Sequence, residues 1–239
     1  MESKTVDTKE AQGMNTRDWI RMIIIYLLNP LILWIFGGDF GWWQAWVFSL
    51  LIMTAGIGSR IWAEKRHPGL LAERKKSVDA ADVKPWDKLL APLMALSVSF
   101  PLLIVAGLDH RFGWSPVFPI WLTVLGLILI AFGYFIGVWA MAENKFFSGV
   151  VRIQKDRGHV ACESGPYRFI RHPGYSGNII PLPGIVLALS SVWTIIPAAA
   201  ALIIAVVRTA LEDRTLQEEL PGYREYAQRV RYRLIPGVY

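Results

Sequence analysis

The densest chemistry in this chain lies in Gly165-Pro-Tyr-Arg-Phe-Ile-Arg-His-Pro-Gly-Tyr-Ser-Gly177. Two arginines, a histidine, two tyrosines and three glycines stand there between a polar stretch and an apolar run. Pro173 disfavours the α conformation at His172 and pushes it into a turn. Gly174 and Gly177 permit close approach of the backbone to another group. Pro181 and Pro183 make the following helix start irregularly, leaving backbone groups to be satisfied by something else. Anchoring to phosphate headgroups would account for Arg168 and Arg171, but not for the histidine, the paired tyrosines or the glycines. A second pair, Arg208 and Glu212, is four residues apart, so both side chains share one helix face. As an exposed intrahelical ion pair it would contribute only a few tenths of a kcal/mol. At a lipid boundary, ionisable residues usually face a cavity and mark function. Glu64 and His67 could in principle ligate a metal, but they read as a helix end stopped by His67-Pro68. His159, Cys162 and His172 form no zinc spacing, and a single cysteine excludes an internal disulfide.

The elements that must position these groups are membrane helices. Of 239 residues, 54% are hydrophobic and 18% charged. Trp19–Phe36, Trp43–Trp62, Leu89–Leu108 and Phe118–Ala142 each offer about 18 or more residues with almost no internal charge, enough to span the hydrocarbon. A fifth tract, Ile179–Val207, is too long for one span and too short for two, and Ser190, Ser191 and Trp193 suggest a tight hairpin within it. Basic residues concentrate in 60–88, 145–171 and 208–233, whereas 37–41 and 109–115 carry only Arg111 as a permanent cation. The positive-inside rule puts the basic segments in the cytoplasm. Parity then gives an all-α polytopic protein of about six transmembrane helices, including a C-terminal helical hairpin, with both termini inside. The short fifth helix need not cross fully if protein covers its end. Trp42, Trp43, Trp114 and Trp193 fall at the outer ends and Trp19, Trp62, Trp86 and Trp139 near the inner ones, as interfacial aromatics do. Met1–Asp18 reads as a disordered leader, and 19–239 as one domain. The net charge of +6 needs no nucleic acid to explain it; anionic inner-leaflet lipid is sufficient. Gly126, Gly133 and Gly137 share a face of the fourth helix and read as a site of close helix packing.

The ordered series Gly165–Gly177, an apolar hairpin, Arg208-Thr-Ala-Leu-Glu212-Asp213, Gly222-Tyr-Arg-Glu-Tyr226 and Arg233-Leu-Ile-Pro236 resembles the isoprenylcysteine carboxyl methyltransferase family, from about Trp139 to the end. Related motifs occur in phospholipid N-methyltransferases and sterol reductases. The resemblance implies an integral membrane methyltransferase using S-adenosylmethionine, with a water-soluble cofactor reaching a cytoplasmic pocket and a lipophilic acceptor arriving from the bilayer. It further implies that His159, Val160, Ala161, Cys162, Tyr167, His172, Pro173, Gly174, Tyr175 and Glu212 line the cofactor. Arg208 would hold the acceptor carboxylate, so that Arg208 and Glu212 carry catalysis, with no metal. Arg152 and Gln154 compete for one further cofactor contact. Asp213 stands where many members have a second glutamate, a tolerable change of reach.

Such a site fits the reaction. Methyl transfer from a sulfonium is an in-line displacement, to which positioning can contribute most, and arginine can hold a carboxylate at two points. A lipophilic carboxylate is the expected acceptor, with no nucleic acid and no obligate protein partner. For a bacterial chain, a small lipophilic acid or thiol fits better than prenylated protein. A phospholipid or amine N-methyltransferase, in which Arg208 would meet a headgroup phosphate, and a non-catalytic lipid-binding protein are the rivals. No Gly-x-Gly-x-x-Gly supports a nicotinamide-dependent reductase.

Overall fold

The structure is a computed structural model describing residues 16–77 and 80–239. Most of the leader expected over Met1–Asp18 lies outside the described residues; the first helix, α1, begins at Thr16 and runs to Gly37. Among the described residues the chain is all helix and loop, as a lipid environment demands, because helices satisfy their backbone polar groups internally. Then come α2 (Trp43–Arg66), α3 (Leu70–Ser77), α4 (Asp87–Ser97), α5 (Phe100–Phe112) and α6 (Ile120–Glu143). After a long loop follow α7 (Pro173–Ile179), α8 (Pro181–Ala188), α9 (Ile195–Glu219) and α10 (Tyr223–Arg229). Five stretches among the described residues are long and apolar enough to cross a membrane: α1, α2, the α4–α5 pair, α6 and α9.

The third span differs from the single helix expected over Leu89–Leu108. It begins at Asp87 and breaks at Val98–Ser99, where Ser99 adopts φ −111° and ψ −87°. Pro101 explains the break: it lacks an N–H, and its ring would collide with the carbonyl four residues earlier. The expected hairpin is present as α7–α8 turning back into α9. Pro181 interrupts the first arm after Ile180. At about 1.5 Å per residue, the run from Pro173 to Ala188 extends for roughly 24 Å, short of the roughly 30 Å hydrocarbon slab. The turn contains Ser190 at φ +53°. Asp109, 1% exposed, accepts there from Ser191 Oγ (2.5 Å) and from Ser115 Oγ and N (both 2.7 Å).

The glycine stripe of α6 packs against this arm. A Cβ on Gly133 would meet Pro181 Cδ at 2.5 Å, one on Gly177 would meet Gly137 Cα at 2.7 Å, and one on Gly126 would meet Ala188 N at 2.5 Å. Small residues here let backbones touch, and the close partner of Gly177 is the α6 backbone rather than a ligand. Leu33, Phe48, Leu102, Ile130, Ile185 and Ala201, from six helices, meet in the main apolar core. Trp42 corrects one expectation. It is 2% exposed and stacks on His110 (ring centroids 4.1 Å apart, planes 4° apart), whereas Trp43, Trp114 and Trp193 are exposed as membrane-interface residues would be.

Candidate active site

The site lies at the bundle end where α2, α6 and α9 finish and α4 and α7 begin. Two residues whose types suit metal ligation build this end instead. Glu64 accepts from the backbone N–H groups of Gly69 (2.8 Å) and Leu71 (3.2 Å), capping the start of α3. His67 Nε2 meets the Ala142 carbonyl at 2.8 Å, which makes it the protonated nitrogen, and pins the end of α2 to that of α6. Among the described residues, no three His, Cys, Asp or Glu side chains cluster as a metal site. The loop leaving α6 is folded by its own polar groups. Asn144 Oδ1 accepts from Phe146 N (2.9 Å), and Gln154, 2% exposed, donates to the Phe146 carbonyl (2.8 Å).

Asp213 organises the Arg171-His172 motif. It is fully buried, and Oδ2 accepts from Arg171 Nη2 (3.1 Å), Arg233 Nε (2.9 Å) and Gln217 Nε2 (2.7 Å). Oδ1 accepts from His172 Nε2 (3.1 Å) and Tyr223 Oη (3.2 Å); Arg171 Nε lies 2.9 Å from it but off the hydrogen-bond axis. Arg171 also donates to the Ala227 and Val230 carbonyls (both 3.2 Å). A headgroup anchor would be exposed, so that reading fails for Arg171; Arg168 does face outward. The C-terminal segment straps the same motif: Arg171 N and His172 N donate to the carbonyls of Tyr232 and Arg233 (both 2.9 Å), and Ser176 Oγ to that of Leu234 (2.6 Å). Asp213 is therefore more than the tolerable substitution that its position suggested.

Above this hub opens a cavity of about 450 Å³. His159, Val160, Ala161, Cys162, Tyr167, His172, Gly174, Tyr175, Arg208 and Glu212 all line it, as do both Arg152 and Gln154. Of the residues expected there, only Pro173 stays off the lining. It sits buried at the first position of α7, where its missing N–H has no helical partner to lose. The expected pairing of Arg208 with Glu212 is not formed. Glu212 Oε2 instead accepts from Tyr175 Oη at 2.6 Å. Arg208 binds Asp87 through Nε–Oδ1 (2.6 Å) and Nη2–Oδ2 (2.9 Å), and also donates to the Gly149 carbonyl (2.9 Å). A carboxylate from another helix offers a two-point geometry that a residue one turn along the same helix cannot.

Burial, and then the charges of Arg157 and Arg152, push His159 down to about 4, so its ring is neutral near pH 7. Its Nδ1 accepts from Gln154 N (3.4 Å). Burial raises the Cys162 thiol, which rules against a thiolate nucleophile at rest. Asp87 escaped sequence reading because an acid in the first turn of a helix is explained by the helix dipole alone. Nothing in the chain announces a partner so far away. Arg60 and Arg74, which also line the cavity, read in the sequence only as part of the basic segment 60–88; for Arg60, a cation six residues inside the end of α2 is the clue to more.

Fold and site together define a polytopic helical membrane protein with a cavity of mixed polar and apolar lining at one end, and the comparisons show what it is similar to. A family model for the isoprenylcysteine carboxyl methyltransferase (ICMT) family matches residues 124–218. A rice (Oryza sativa) protein named probable protein-S-isoprenylcysteine O-methyltransferase is 25% identical over 196 residues, covering 78% of this chain and 93% of its own length. The human protein-S-isoprenylcysteine O-methyltransferase is 30% identical over 118 residues, 46% of this chain and 40% of its own. An Arabidopsis thaliana protein-S-isoprenylcysteine O-methyltransferase B is 29% identical over 118 residues, 46% and 57%. Over residues 124–218 the chain is thus similar to the isoprenylcysteine carboxyl methyltransferase family.

Proposed function

We propose that this protein transfers a methyl group from S-adenosylmethionine to the carboxylate of a lipophilic acceptor within the membrane. One observation carries the reading: ten residues that the family resemblance implies for the site, spread from His159 to Glu212, converge on one cavity. Its volume of about 450 Å³ falls in the range of small-molecule sites. The donor set also suits the cofactor. Glu212 Oε1 makes no hydrogen bond among the described residues, leaving an acceptor for hydroxyl or amino groups, while Tyr175 Oη holds the other oxygen. The neutral His159 adds no positive charge to the cavity. When bound, S-adenosylmethionine supplies a methyl group on a positively charged sulfur.

The protein's own work is placement and exclusion of water. Glu212 would orient the cofactor, the backbone of 159–162 and the rings of Tyr167 and Tyr175 would wall it, and Arg208 would act on the acceptor side. Positioning of this kind can account for most of the rate of an in-line displacement, and a dry site strengthens each polar contact. The basic character of the loops at this end supports placing the cavity, and both termini, on the cytoplasmic side.

The test is calorimetric titration of the nanodisc-embedded protein with S-adenosylhomocysteine, followed by methyl incorporation into lipophilic acids and amine lipids side by side. Micromolar binding and label in the acids are expected. Folded protein that binds no S-adenosylhomocysteine would sink the reading, and label confined to amines would replace the acceptor.

A further inference from the structure

Five arginines line the cofactor cavity: Arg60, Arg74, Arg152, Arg171 and Arg208. Three are matched by carboxylates. Arg152 pairs with Glu73 (2.9 Å) and Asp82 (3.1 Å), Arg171 with Asp213 and Arg208 with Asp87. Among the described residues, Arg60 and Arg74 form no ion pair. Arg60 Nη1 donates to Ser59 Oγ (3.0 Å), and its guanidinium lies 5.7 Å from the Tyr26 ring centroid. Arg74 Nη1 has only the Met141 sulfur (3.1 Å), and its guanidinium covers Phe147 at 4.9 Å. Burial, and then the charge of Arg60, lower Arg74 to about 10, so the two cations sense each other. Unmatched cations away from bulk water are costly, and within membrane proteins they mark sites that bind or move charge.

The same two residues border a second cavity of about 640 Å³. Its walls are largely apolar, with Ile25, Phe48, Ile52, Leu103, Val138 and Leu182 among them. The one aspartate on that lining, Asp18, is held by Lys75 (2.8 Å) and Arg21 (3.9 Å). Arg60, Arg74, Phe147, Gly174 and Asn178 are among the residues that line both cavities. A largely apolar chamber thus meets one of mixed lining at two cations without a carboxylate partner among the described residues.

We propose that Arg60 and Arg74 form the anion subsite for the methyl acceptor, clasping its carboxylate at the junction while its hydrocarbon tail fills the apolar cavity. This rests on the methyltransferase reading above. Arg74 Nη2 lies 4.0 Å from where a Cβ on Gly149 would sit, and the carbonyl of Gly149 accepts from Arg208. Gly149 thus links Arg74 to Arg208, which is already tied to Asp87. In the transfer, a carboxylate oxygen forms the bond to the methyl carbon as the sulfur–methyl bond breaks. The negative charge on the acceptor and the positive charge on sulfur cancel, and no proton moves. The neutral ester leaves the arginines nothing to clasp, so capture and release follow from charge alone.

A carboxylate also ends the cofactor's amino-acid arm, and the experiment separates the two sources. Nanodisc-embedded protein is titrated with S-farnesyl-N-acetylcysteine and with its carboxamide, which keeps the tail and loses the charge, with and without S-adenosylhomocysteine. The carboxylate is expected to bind about tenfold or more tightly than the amide. Arg60→Gln and Arg74→Gln should each abolish that preference, Arg74→Lys should retain part of it, and S-adenosylhomocysteine affinity should change by less than about threefold. Equal binding of carboxylate and amide by the wild-type protein overturns the proposal without any variant having to fold. So does a carboxylate preference that survives both substitutions while S-adenosylhomocysteine affinity collapses, which would assign the pair to the cofactor. Failure of the methyltransferase reading shows separately, as absent S-adenosylhomocysteine binding by the wild-type protein.

Discussion

Asp87 and Arg208, 121 positions apart, form a two-point ion pair with Asp87 wholly buried. Asp87 Oδ2 also accepts from the Val151 backbone N–H at 2.6 Å. One carboxylate thereby ties together the start of α4, the last membrane helix and the loop that roofs the cavity. The pair is also why Arg208 cannot simply be counted as a free clamp for a substrate. Nε and Nη2 are already committed to protein acceptors, and Nη1 faces the Met94 sulfur at 3.7 Å.

Removing this carboxylate should therefore damage the scaffold as well as the site. Asp87→Ala leaves a buried guanidinium without its counter-charge and the Val151 N–H without its acceptor. Breaking a buried pair from one side costs about 3–5 kcal/mol. A clear fall in unfolding temperature in detergent is the expected outcome. Asp87→Asn, which can still accept from Val151, should lose less. Equal stability of Asp87→Ala and the wild-type protein would mean that the pair is not formed.

Asp213 makes a sharper case, because lengthening it by one methylene keeps the charge. The site has no exposed surface and five donor side chains converge on it, so Asp213→Glu must displace Arg171, His172 or the C-terminal strap. Overpacking of a filled interior costs about 1–3 kcal/mol. We expect faster proteolysis near residues 231–239 in Asp213→Glu and Asp213→Ala, read by mass spectrometry, with Arg168→Gln as the unaffected control. A strap equally protected in all variants would remove Asp213 from its organising role.

Much of this architecture could be read from sequence because each strong signal was local. Apolar length gave the spans, Ser190 and Ser191 gave the hairpin turn, and glycine spacing gave the α6 contact face. The site residues came from an ordered motif series, and ten of the eleven expected residues line one cavity. What could not be read were pairings over distance. Arg208 and Glu212 look like partners at helical spacing, yet each is bound by a residue from another element, Asp87 and Tyr175. The break at Val98–Ser99 was within reach through Pro101, but an uncharged apolar run hid it. Trp42 failed for a related reason: tryptophan at a helix end suits a lipid interface, and only packing decides that its ring stacks on His110.

The glycines of the α6 contact offer a discriminating pair of substitutions. A Cβ on Gly177 would press into the Gly137 backbone at 2.7 Å, whereas one on Gly137 would meet Gly177 Cα at an ordinary 3.8 Å. Gly177→Ala should force α7 off α6 and lower both thermal stability and S-adenosylhomocysteine affinity. Gly137→Ala should be tolerated, changing the unfolding temperature little. Similar behaviour of the two would show that α7 can slide without cost, contrary to the close-packed backbones seen here.

His159 sets the expected pH dependence of this end of the molecule. Its ring is held down to about 4 from an ordinary 6.5, by burial first and then by Arg157 and Arg152. Below about pH 6.5 the unfolded chain takes up a proton that the folded protein refuses, so folding loses stability as the pH falls from there towards 4. Above 6.5 the ring is neutral in both states, and below 4 it is charged in both, so the slope belongs to that window alone. His159→Gln keeps a polar side chain but cannot titrate, and should flatten the fall in unfolding temperature between pH 6.5 and 4 relative to wild type. Protonation would also place a further cation in the cavity proposed to admit a positively charged sulfonium. S-Adenosylmethionine binding should accordingly weaken as the pH falls towards and through about 4, where the ring of the folded protein takes up its proton, more steeply than binding of the uncharged-sulfur S-adenosylhomocysteine, and the difference should vanish in His159→Gln. A wild-type protein whose two affinities fall in parallel on acidification would show that the ring lies outside the sulfonium's reach.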